Sequence, residues 1–186
     1  MNVPHFRFIE THQSYTGAQL RPHWTAEAAG VWGDAVVSWV GPCEVSLEEM
    51  VDVGDRLAAA SIRAEEMLHF VCEHFDLRLV EAVLLQRLLV CLAEGTLAAR
   101  GVADLRRDGD DLYVGGGKLT VSVATVSAVS ALIHFGVNVR SETAPVETAC
   151  LSALGVEPRS FAEALGEAYR KEISGVLDAA WRTMPR

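Results

Sequence analysis

The chain has 186 residues, half of them apolar and 22% charged. This suits one globular domain able to bury most of its surface and excludes global disorder. The net charge of −9 argues against a protein that tracks nucleic-acid phosphates or an anionic membrane surface, so the expectation is no nucleic-acid and no membrane partner. Four cysteines at 43, 72, 91 and 150 contain no C-x-x-C pair, which argues against a zinc ribbon or a redox dithiol. The first twenty residues carry no signal-peptide apolar region, so reduced thiols and a cytoplasmic protein are expected.

In chain order, residues 3–9 read as a strand with Phe6 and Phe8 on one face. Residues 10–30 read as a long loop. Residues 35–40 form a strand between the turn signals Gly33-Asp34 and Gly41-Pro42. Ser46-Leu-Glu-Glu49 fits a capping box that starts a helix to about residue 60. Residues 67–75, with their aromatic and β-branched content, favour a strand. It would put His69, Val71, Glu73 and Phe75 on one face and Phe70, Cys72 and His74 on the other. Residues 77–99 are apolar on nearly every side and predict a buried helix. A charged turn at 106–111 precedes a short strand at 112–114, and Gly115-Gly-Gly117 turns the chain into a strand at 118–125. Residues 119–139 carry no formal charge, but Leu119, Val121 and Val123 alternate with Thr120, Ser122 and Ala124. They read as two strands rather than a membrane helix. Pro145 and Glu147 begin a short helix ending near Gly155. A second capping box, Ser160-Phe-Ala-Glu163, precedes about five turns of helix. The sum is α+β with a mostly antiparallel sheet.

The densest cluster of ligand-type residues is His69 to His74. On a strand His69 and His74 face opposite ways, so one metal ion would not take both, and no metal site is expected. His69 and Glu73 would instead line a pocket. Arg87, within LLQRLLV, needs a carboxylate, carbonyls or an anionic ligand, and an internal partner such as Glu73 or Asp111 is the expectation. Lys118 opens an uncharged strand, with Asp110 or Asp111 facing it. Turned inward it needs an anionic partner, and a ligand carboxylate or phosphate would supply one.

GDDLYVGGGKLTVSVAT followed by SALIHFGVNV resembles the core of biotin and lipoate protein ligases, with their N-D-L-x-x-x-x-x-K strand–turn–strand and a later glycine–asparagine strand. The matches are Asp110-Asp111-Leu112, Lys118 and Gly136-Val137-Asn138. More narrowly, YTGAQLRPHW, GDAVVSWVGPCEV, MLHFVCEHFD, QRLL and RRDGDDLYVGGGKLTVSVATVSAVSALIHFGVN resemble domain of unknown function family 366, over about residues 6–181. The resemblance implies a ligase-like (class II synthetase-like) α+β core, a mostly antiparallel sheet flanked by helices. It implies one domain over 1–186, with 145–186 a helical part packed on it. In the ligases the lysine contacts the substrate carboxyl and the acyl-adenylate phosphate, a role carried to Lys118 alone. The chain also departs from the pattern. Residues 10–30 hold only Arg21 where the ligases have an R-G-R-x-x-R loop. Asp110 replaces an asparagine, and Val121 or Ser122 replaces a small glycine.

These readings converge on a pocket for a small anionic metabolite, with acyl-transfer or carboxylate-activating chemistry. Lys118, Asp111, His69 and Glu73 are the candidate catalytic residues. Arg87, Ser122, His134 and Asn138 are the candidate ligand-binding residues. One alternative is a non-catalytic oligomeric binding or scaffold protein, a homo-oligomer that kept the fold. Another, from the octanoyltransferase branch of the same superfamily, pairs Lys118 with Cys150 as nucleophile. Neither the cofactor nor the substrate can be named from the sequence.

Overall fold

The computed structural model describes residues 1–58, 62–140 and 148–184. Its main sheet contains β1 (His5–Phe8), β2 (Ala35–Val45), β3 (Ile62–Phe75), β8 (Ser130–Arg140) and β7 (Thr120–Val126), in the order β1-β2-β3-β8-β7. β1 runs parallel to β2, and every other pairing is antiparallel. A smaller sheet joins β4 (Leu105–Asp108), β5 (Asp111–Val114) and β6 (Gly117–Lys118). The helices are α1 (Trp24–Ala29), α2 (Val53–Leu57), α3 (Leu79–Ala98) and α4 (Pro158–Arg182).

The period-two pattern of β3 divides the molecule into two cores. Leu68, Phe70 and Cys72 join Ile133, Phe135 and Val137 of β8 under α3 and α4. Val71 and Met67 point the other way, into a second cluster with Val37, Trp39, Tyr15 and Trp24. β7 and β8 span the uncharged stretch as two strands. No helix among the described residues is long and apolar enough to cross a membrane.

Several sequence expectations are corrected by tertiary context. The 10–30 segment contains α1 and a bridge from Tyr15 to Cys43. Gly41-Pro42 is not a turn, because β2 continues through it with a bulge between Gly41 and Cys43. There the backbone of Gln13 crosses so closely that a Cβ on Gly41 would lie 1.9 Å from its carbonyl oxygen. The Trp39 indole N–H donates to that carbonyl at 2.9 Å, and the Tyr15 N–H to Pro42 O at 2.8 Å. Ser46 to Glu49 makes only a turn. The helix begins at Val53, where the Asp52 side chain accepts from the Asp55 N–H, and the expected end near 60 lies outside the described residues. α4 begins earlier than expected, capped by Glu157. Pro145 and Glu147 lie outside the described residues, and 151–155 form turns rather than a helix.

α3 spans its expected range but is not buried all round. Leu89 and Val90 are inside, whereas Val80 is 69% and Leu84 63% exposed. Arg87 is half-exposed, and its partner is Asp110 at 3.3 Å rather than Glu73 or Asp111.

Candidate ligand cavity

A cavity of about 540 Å3 opens against the sheet, lined by residues of the bulged end of β2 and of β3, β8 and β7. That volume suits a small-molecule ligand. Cys43, Val45, Met67, Val121, Val123, His134 and Asn138 line it from the sheet. Tyr15 and the 49–55 segment line it from outside the strands, and Asp110, Asp111, Lys118 and Thr148 from the β5–β6 side.

Lys118 is placed by the short strand β6, which pairs with β5 and bridges to Thr148. Gly117 permits this, because a Cβ there would lie 2.8 Å from the Ala149 nitrogen. The Asn138 side-chain amide donates to Lys118 O at 3.1 Å, fixing the lysine backbone to β8. Lys118 Nζ then meets Asp111 Oδ2 at 2.8 Å, with both side chains partly exposed. Burial, seconded by Asp110 and Asp108, lifts the Asp111 carboxyl above its ordinary pKa against the pull of Lys118. The counter-ion of the lysine is therefore a carboxylate poorly accommodated in its charged form.

Asp110 is held from the α3 side. The Gln86 amide donates to its Oδ2 at 2.9 Å and to Ser122 Oγ at 2.7 Å, Ser122 Oγ donates to the Asp110 carbonyl at 3.1 Å, and Arg87 supplies the charge. Ser122 borders the cavity; Arg87 does not and acts through Asp110. Glu49, Asp52, Asp55, Asp110 and Asp111 outnumber the two lining cations, Lys118 and Arg63. Arg63 is already paired with Glu44.

His69 is fully buried and does not border the cavity. It lies behind His134, with Nδ1 3.1 Å from His134 Nε2 and Nε2 3.1 Å from Gly41 O. Burial, against the help of the Gly41 and Pro42 backbone, pushes its pKa down to about 4. His69 is thus held neutral around pH 7. Glu73 lies six residues along β3 from Met67, roughly 20 Å away, outside this cavity. Its carboxylate accepts from the His23 N–H (2.7 Å), Thr25 Oγ1 (2.8 Å) and Ser130 Oγ (2.8 Å), tying α1 to the sheet. His74, on the opposite face, bridges Asp34 Oδ2 (3.3 Å) and the Tyr169 hydroxyl (3.0 Å). Cys150 is partly buried and does not border the cavity. Its carbonyl accepts turn hydrogen bonds from Ala153 and Leu154.

The structure thus gathers Lys118, Asp111, Ser122, His134 and Asn138 at one cavity and leaves His69, Glu73, Arg87 and Cys150 outside it. Sequence reasoning missed Tyr15, Glu49 and Thr148, which come from separate segments with no local spacing to mark them. It also missed Gln86 as the residue positioning Asp110; a lone amide in an apolar run was its one signal.

Comparison with known proteins gives consistent results. The family model described as Domain of unknown function (DUF366) matches residues 5–184. An uncharacterized protein of Methanocaldococcus jannaschii is 34% identical over 185 residues, covering 96% of this chain and 83% of the relative. A solved protein of unknown function from Pyrococcus horikoshi superposes with a TM-score of 0.91 at 34% identity, covering 97% of this chain and 99% of that one. The biotin protein ligase of Aquifex aeolicus, solved with biotin and ATP, gives 0.61 at 10% identity over 91% and 70% of the two chains. Lipoate-protein ligase A bound with ATP gives 0.56 at 12% identity over 91% and 86%.

Proposed function

The chain belongs to the DUF366 family and has the fold of the biotin and lipoate protein ligases, and on that premise we propose that its cavity binds a small anionic metabolite at Lys118. The observation that carries this reading is the Lys118–Asp111 pair at the rim of a 540 Å3 cavity. An incoming carboxylate or phosphate takes the ammonium from Asp111, the carboxylate that burial already disfavours as an ion. The five lining acids select against a multiply charged anion, and the apolar walls of Val45, Met67 and Val121 favour a neutral body on a single charged group.

The ligase neighbours include structures holding biotin and ATP, which makes carboxylate activation or acyl transfer the chemistry to look for. A binding protein without catalysis is the second reading. It is favoured by the acid-rich rim and by residues 10–30, whose only arginine, Arg21, is engaged by Glu27. Glu73 and Cys150 serve neither reading without leaving their present positions.

The test is a thermal-shift panel of nucleotides, biotin, lipoate and fatty acids, followed by titration of any binder into the parent and Lys118→Met. The charge-assisted contact is worth about 1.5–3 kcal/mol, so Kd should rise about ten- to more than hundredfold. The melting temperature should move little, because the ion pair is partly exposed. A Lys118→Met variant that binds the same compound as tightly as the parent overturns the reading.

A further inference from the structure

The inner end of the cavity is built from rings. Tyr15 lies parallel to His134, with centroids 3.6 Å apart and planes 6° apart, and His69 stacks beside both. One backbone acceptor fixes the protons of the histidine pair. The Gly41 carbonyl can only accept, so His69 carries its proton on Nε2. His69 Nδ1 then presents a lone pair, and His134 must donate to it from Nε2. His134 is therefore the Nε2–H tautomer, with Nδ1 unprotonated. His134 is 4% exposed and borders the cavity. No described residue donates to its Nδ1, and none partners the Tyr15 hydroxyl. Burial holds both histidines neutral, His134 further below its ordinary pKa because of the neighbouring His69.

His134 Nδ1 is thus an acceptor open to the cavity with no donor among the described residues, and a bound donor group would take the place of water there. The surrounding Cys43, Met67 and Val121 are uncharged and Glu49 is the one acid whose charge reaches Tyr15, so a neutral donor fits this end at the least desolvation cost. We propose that this end of the cavity is a subsite for a neutral hydrogen-bond donor, an amide, lactam or heteroaromatic N–H or a hydroxyl, that donates to His134 Nδ1. The inference rests on the cavity being a ligand site and names the chemistry of the ligand end remote from Lys118. The Gly41–His69–His134 chain sets specificity, since it makes the cavity wall an acceptor and not a donor.

The experiment uses the full chain labelled with 15N and two uncharged probes, 2-pyridone and N-methyl-2-pyridone. Long-range 1H–15N spectra should show His69 and His134 as Nε2–H tautomers at neutral pH. 2-Pyridone should shift the His134 Nδ1 resonance saturably, and its N-methyl analogue should bind at least about fivefold more weakly. That ratio should collapse towards one in His134→Phe; if this variant does not fold, the parent spectra and the probe pair still decide. A proton on His134 Nδ1, equal affinity of the two probes, or no shift at His134 overturns the proposal. Because the probes carry no charge, their binding is read separately from the anion titrations into the parent and Lys118→Met, so failure here and failure of the anion site are told apart.

Discussion

Two buried groups at residue scale show how one strand face serves different ends. His69 and His134 are held neutral by burial, and their folded pKa values lie below the ordinary value near 6.5. As pH falls below about 6.5 the unfolded chain binds protons that the folded chain refuses, so stability falls, and it continues to fall towards pH 4. The slope is about 1.4 kcal/mol per pH unit for each histidine. Urea denaturation at pH 7.5, 6.5 and 5.5 should show a steeper loss over the lower interval in the parent than in His134→Gln. Glu73, by contrast, is a fastening. Removing its carboxylate strands three donors, the His23 N–H and the Thr25 and Ser130 hydroxyls. Glu73→Ala should lower unfolding free energy by about 3 kcal/mol and leave the Kd of any Lys118-dependent ligand within about threefold. A large loss of affinity with unchanged stability would instead return Glu73 to a site role.

At the scale of elements, α3 is the test of reading burial from composition. Its sequence is apolar on all sides, yet the sheet covers only one. Leu89→Ala, at a buried position, should cost about 2–5 kcal/mol. Leu84→Glu, at an exposed one, should stay within about 0.5 kcal/mol. Equilibrium unfolding of the two variants checks this. A larger effect at Leu84 that grows with protein concentration would mark the exposed row as a contact between copies. The β2 bulge carries the opposite lesson. Gly41-Pro42 has the composition of a turn, yet β2 keeps pairing with β3 on both sides of the bulge while Gln13 passes close against Gly41.

For the whole molecule, the four thiols report how the two cores enclose it. Cys91 is exposed, Cys150 partly buried, and Cys43 and Cys72 fully buried on opposite faces of the sheet. Burial pushes Cys43 up to about 12 and Cys72 higher still. Native protein treated with a thiol reagent should therefore react first at Cys91 and then at Cys150, with the remaining two appearing only on unfolding. Mass-spectrometric mapping of labelled sites gives the order; early labelling of Cys43 would mean that the cavity wall opens in the native state.

The strands and long helices follow from local pattern. Alternation in 67–75 and 119–139 fixes which residues share a face, and the apolar run at 79–98 outlasts any strand. Lys118, Asp111 and Asn138 stood out because their spacing matches a family motif and because a lysine in an uncharged strand demands an anion. What the sequence could not decide is which face stays open. That depends on Gln13 crossing Gly41, on Tyr15 covering His134 and on Glu73 binding α1, contacts between residues 26 to 119 positions apart. Charge in a sequence identifies a group that needs a partner. Only the tertiary structure, by closing some distances and leaving others, decides whether that partner is Asp111, a backbone amide or a ligand.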